Sequence, residues 1–168
     1  MAMDIRELID QYAAYNLWAN TRIIARLSIE NPAILDEHVR SSFPSLRSTL
    51  MHIRNAEAAW LARIKGEQVR WPAEPGEEIG TLITYSANMR DQVRGMDNVA
   101  LLAPCTYQDL KGNTHTQQPV HMLMHCFNHG SYHRGQVITM MRQLELGEVP
   151  PLDLVVFQRA LSKGEAIG

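Results

Sequence analysis

Cysteine is scarce: only Cys105 and Cys126 occur in 168 residues. Two cysteines not spaced as CxxC make no disulfide framework, so both are expected to be reduced. No apolar run approaches membrane-spanning length. The opening MAMDIRELID is charged from Asp4 onward and lacks the apolar stretch of a secretory signal. The cytoplasm is therefore the expected compartment, with no membrane partner. Neither sign of charge dominates, since 16 Lys and Arg stand against 18 Asp and Glu for a formal net charge of -2. Without a long basic run there is no electrostatic footprint for nucleic acid, and a small-molecule partner is the expectation that remains. Internal repeats and low-complexity segments are also lacking.

What is present is a chain that is 45% hydrophobic and long enough for one substantial core, so residues 1–168 read as one domain. Ile5, Leu8, Ile9, Tyr12, Ala19, Ile23 and Leu27 recur at helical spacing and predict a helix from 4 to about 28, with Asn16 on the same face. Pro32 and Pro44 punctuate a long connection. A second helix is expected from about 45 to 65, stopping at Gly66, and a third from about 77 to 96, weakened by Gly80 and several β-branched residues. Thr106-Tyr107 and Thr114-His115-Thr116 flank Lys111-Gly112-Asn113 and predict a short β-hairpin between 105 and 120. Pro119 suits the first turn of a fourth long helix, expected to run to about 146 before Gly147, Pro150 and Pro151. A short helix follows from Asp153. This pattern describes an all-α four-helix bundle with a β-hairpin before the last long helix, a fold whose interior commonly holds metal sites.

The chemistry concentrates in HMLMHCFNHGSYHRGQ, residues 121 to 136. Residues four apart on a helix differ by roughly 40° in azimuth and about 6 Å along the axis, so neighbours among His121, His125, His129 and His133 reach one ion, but all four do not. Imidazoles on a core-facing stripe need partners, which a metal or well-placed hydrogen bonds supply. His125 and His133 flank His129, whereas His121 lies too far round and reads as an ordinary helix residue. Two histidines from one helix leave a tetrahedral ion short, and the best further donor is His52 in LRSTLMHIRNAEAAWLARI. The small residues Ser45, Ser48, Ala56 and Ala59 share its face; they allow close helix packing or leave room above an ion. Cys126 is a candidate ligand by azimuth, although a buried structural thiol explains it better. Tyr12 and Asn16 face inward from the first helix, either towards a ligand or towards a neighbouring helix. His38 and His115 lie in connections without an assigned role. Glu57, Asp109 and Glu145 do not stand out, so no acid/base partner is named.

Three segments, YAAYNLWANTRI at 12–23, SLRSTLMHIRNAEAAWLARI at 45–64 and HCFNHGSYHRGQV at 125–137, together resemble the DinB/YfiT-like family of bacterial proteins. NHxxxHRGQ with an upstream helical histidine is the most specific part. The resemblance implies a four-helix bundle, frequent dimers, and three histidines binding one divalent ion, nickel or zinc. Carried over by motif, those ligands are His52, His129 and His133. His125 then belongs to the surroundings or pocket wall, with Asn16, Tyr12 and Cys126, while Arg134 and Gln136 receive no role from it. It further implies an enzyme that activates a low-molecular-weight thiol cosubstrate for S-transfer or isomerisation. Hydrolysis through metal-bound hydroxide and a non-catalytic metal- or ligand-binding stress-response module are the alternatives.

Overall fold

Asp4 accepts the amide hydrogen of Glu7, and the Glu7 carboxylate accepts that of Asp4; this reciprocal cap opens α1 (Ile5–Leu27). The computed structural model describes residues 4–164. After a 3-10 turn at Pro32–Asp36, Ser45 and Ser48 form a second reciprocal cap that starts α2 (Leu46–Ile64). The chain then leaves that helix through Gly66, whose φ of 69° is a conformation that glycine adopts without strain. Next come α3 (Thr81–Arg94) and α4 (Asn98–Leu102). Strands β1 (Cys105–Gln108) and β2 (Thr114–Gln117) pair antiparallel with Tyr107 opposite His115. Pro119 begins α5 (Pro119–Gln143), and α6 (Leu154–Ser162) closes the described chain. The all-α bundle with its hairpin before the long α5 is thus the observed architecture.

Four long helices form the body: α1 packs on α3 and α5, and α2 packs on α3 and α5. Their interior is divided into two apolar compartments. One gathers Ile23, Leu27, Leu50, Ile53, Leu82 and Met140, while the other gathers Ile9, Ala13, Leu61, Met89, Leu123 and Phe127. Between them lies a polar layer to which every long helix contributes: Asn16 and Asn20 from α1, Glu57 from α2, Ser86 from α3 and Arg134 from α5. All five are buried. Asn16 and Asn20 donate to Glu57 Oε1 at 2.7 and 3.0 Å, and Ser86 donates to Oε2 at 2.8 Å. Arg134 donates to Asn16 Oδ1 at 2.7 Å and Asn20 Oδ1 at 3.1 Å. The two asparagines therefore relay a buried carboxylate to a buried guanidinium and give both charges bonded partners, although Arg134 Nε itself is buried without one among the described residues. α6 docks outside the bundle by setting Phe157 among Tyr15, Trp18 and Ala19.

Several boundaries and faces differ from the sequence expectations. The third helix starts at Thr81 rather than 77, because the carbonyls of Gly76 and Glu77 accept from Arg54 and Arg47 of α2. α5 ends at Gln143 rather than 146. The following turn places Glu145 at φ 56° and returns the Leu146 amide to the Met141 carbonyl. Residues 98–102, with no assigned structure in the sequence reading, form α4 behind an Asp97 cap. Ile5 and Leu8, expected on the inward face, are 42% and 40% exposed, since the buried stripe of α1 begins only at Ile9.

Candidate metal centre

α2 carries His52, α5 carries His129 and His133 one turn apart, and the packing of α2 on α5 brings the three together. The three ring centroids form a nearly equilateral triangle with sides of 4.8, 4.6 and 4.4 Å. One ligand nitrogen from each ring lies within 4.8 Å of the others, a grouping that could hold a metal ion. His52 Nε2 and His129 Nε2 are 2.9 Å apart. Two nitrogens sharing one ion at about 2.0–2.1 Å sit about 2.9 to 3.4 Å apart as the angle opens from 90° to tetrahedral. The donor set thus fits a divalent ion that takes imidazole, such as zinc or nickel.

The electrostatics favour neutral, ligating imidazoles. Burial, followed by the proximity of His133, lowers the pKa of His52 from 6.5 to about 4. Burial and then His133, His52 and His125 bring His129 to about 4 as well. Proton competition for these two rings is therefore weak near neutral pH. His133 is held from behind: its Nδ1–H donates to Gln136 Oε1 at 2.8 Å, and Gln136 Nε2 donates to Ser42 Oγ at 2.7 Å. Aromatic rings surround the triangle. Phe43 lies 4.3 Å from His52 and 5.6 Å from His133, Trp71 lies 5.8 Å from His52, and Tyr132 lies 5.0 Å from His133, all between ring centroids.

The remaining candidates occupy different places. His125 stacks edgewise on Trp60 at 4.9 Å and stands 6.1 Å from His129, beside the triangle. Asn16 is not in the pocket: its amide is taken up by Glu57 and Arg134 in the polar layer. Tyr12 packs against the second apolar compartment and lines a groove of about 450 Å³ with Leu8, Met124, Phe127 and Ser131. Met124, Phe127 and Ser131 lie roughly half a turn round α5 from His129 and His133, so that groove opens on the far side. Cys126 is buried in the same compartment, and burial pushes its thiol well above the ordinary value, which suits a structural cysteine. His121 is exposed, as is His38. His115 bonds Asp109 Oδ2 at 3.1 Å, and Asp109 also accepts the amides of Lys111 and Asn113, so both residues organise the hairpin turn.

Gln136, Phe43 and Glu57 went unassigned in the sequence reading. Gln136 carried a signal, standing three residues after a candidate ligand on the same helix, a spacing at which side chains meet. Glu57 carried a weaker one as a carboxylate in helical register with Leu50, Ile53, Leu61 and Ile64 on the apolar stripe of α2. Burial pushes its carboxyl up, against the bonds from Asn16, Ser86 and Asn20 and the charge of Arg134.

A helical bundle with three convergent histidines on two of its helices defines a class of protein whose interior could hold a metal ion. Residues 3–161 match the DinB family, and the chain belongs to it. Among its relatives, Protein DinB of Bacillus subtilis (strain 168) is 26% identical over 147 residues, covering 81% of this chain and 86% of the relative.

Proposed function

We propose that this protein is a metal-dependent enzyme that activates a low-molecular-weight thiol for S-transfer or isomerisation. The observation that supports this reading is the triangle of His52, His129 and His133, three imidazoles that could hold a divalent ion. A nickel or zinc ion held there keeps its full positive charge and supplies a lowered pKa for a coordinated thiol or water. The protein's own contribution is to keep His52 and His129 deprotonated, to hold the Nδ1 proton of His133 on Gln136, and to line the triangle with the rings of Phe43 and Trp71. Among the described residues the centre shows no nucleophile of its own, since Cys126 is buried in the second apolar compartment and Glu57 is bonded within the polar layer. An external thiol fills that role.

The test is turnover of electrophilic acceptors with mycothiol, bacillithiol or glutathione, on metal-loaded and metal-stripped protein, beside a thiol-free panel of esters and amides. Activity requiring both metal and thiol is the expected result. Metal-dependent turnover confined to the esters and amides would replace the proposal with a hydrolase. Ligand binding without turnover would replace it with a binding module.

A further inference from the structure

The connection between the 3-10 turn and α2 has no regular helix or strand, yet it is anchored. Val39 N–H donates to the Pro44 carbonyl at 2.8 Å, Val39 is buried, and Ser42 accepts from Gln136 at 2.7 Å. The next residue, Phe43, lies against two of the three histidines. Gln136 therefore has a metal-centre histidine on one end of its amide and the loop that presents Phe43 on the other.

We infer that Gln136 is a positioning residue: it fixes the tautomer of His133 and fastens the Phe43 loop over the centre. The inference rests on the metal-centre reading above. Its logic lies in the polarity of the amide. Only with Oε1 towards His133 does the ring carry its proton on Nδ1, which leaves the Nε2 lone pair free for an ion. The reverse orientation would place an N–H donor against Nδ1, move the ring proton to Nε2 and block the ligand atom. Ser42 Oγ accepts from Nε2 in this orientation and ties the far end of the amide to the loop. An acceptor behind a ligating histidine is a general means of orienting the ring and raising its basicity, and losing it typically weakens metal binding 10–100-fold.

The experiment combines two readouts on the full chain. In metal-free protein with 15N-labelled histidine, NMR couplings should show His133 protonated at Nδ1 in the wild type, with the Nε2–H tautomer gaining in Gln136→Leu. In competition titrations with Co(II), Gln136→Leu should bind about 10–100-fold more weakly, and Gln136→Glu, which keeps an acceptor, should recover most of that loss. An unchanged tautomer and an unchanged affinity in Gln136→Leu would overturn the inference. A wild type that binds no Co(II) would instead remove the metal reading, while the tautomer measurement still judges Gln136. Ser42→Ala gives a further check if the leucine variant does not fold. It keeps the His133 bond but frees the loop, so amide exchange across residues 39–43, Val39 N–H included, should accelerate, and unchanged exchange there would refute the fastening role.

Discussion

At the scale of single residues, the centre separates its histidines by neighbourhood rather than by sequence. His52, His129 and His133 converge, His125 stands beside them on Trp60, and His121 faces solvent. Alanine at any of the first three should therefore abolish near-stoichiometric zinc or nickel content measured by elemental analysis, and His121→Ala should leave it unchanged. A His52→Ala protein with full metal content would eliminate a centre shared between α2 and α5. Acidity offers a second test. His52 and His129 fall to about 4 in the folded chain against an ordinary 6.5, so between those values the unfolded chain holds protons that the folded chain rejects. Metal-free protein should thus have its full stability above pH 6.5 and lose it as the pH falls towards 4, by a modest amount because both rings are only half-buried. Thermal melts across that range should show a shallower slope for His52→Gln than for the wild type. An identical slope would show that the ring does not titrate as described. His129 and His133 were legible from helical spacing and from NHxxxHRGQ, and His52 as the further donor on the upstream helix that the resemblance also names. Glu57 was not, because its burial depends on partners from three other helices, and no local pattern around residue 57 records them.

At the scale of elements, helical periodicity identified α1, α2 and α5, and the hairpin was visible in its paired threonines and Lys111-Gly112-Asn113 turn. The start of α3 could not be read locally, since it is decided by Arg47 and Arg54 reaching across from α2 to carbonyls that a longer helix would have used. The contact of α5 with α1 depends on Gly130. A Cβ there would lie 3.0 Å from Arg134 Nη1 and 3.1 Å from Asn16 Oδ1, two atoms already bonded to each other. Because both atoms are held in the polar layer, Gly130→Ala should destabilise the protein by about 1 kcal/mol, overpacking being partly offset by the roughly 1 kcal/mol that alanine gains over glycine inside a helix, as a lowered midpoint in urea denaturation. An unshifted midpoint would mean that the polar layer tolerates a displaced Arg134.

At the scale of the whole molecule, an ion held between α2 and α5 would bind the folded chain in preference to the unfolded one, so metal-loaded protein should melt above metal-free protein in calorimetry. No helix of the described residues is long and apolar enough to cross a membrane. We propose a homodimer for the assembled protein. The resemblance motivates it, and the groove beside Tyr12, with Leu8 40% and Met124 57% exposed, is a face suited to a second copy. Light scattering should give twice the chain mass, and a monomer mass across a wide concentration range would defeat the dimer.

The polar layer has one further consequence, for how the protein tolerates change. Asn16, Asn20, Glu57, Ser86 and Arg134 separate the apolar residues near Met140 from those near Phe127, so substitutions in one compartment fall in a different apolar cluster from substitutions in the other. Their effects should add, whereas pairs within a compartment should couple. The bundle is in this respect two independently variable cores joined at a shared seam. A sequence can drift in either core while the seam keeps all four helices in register, and with them the α2–α5 spacing on which the histidine triangle depends.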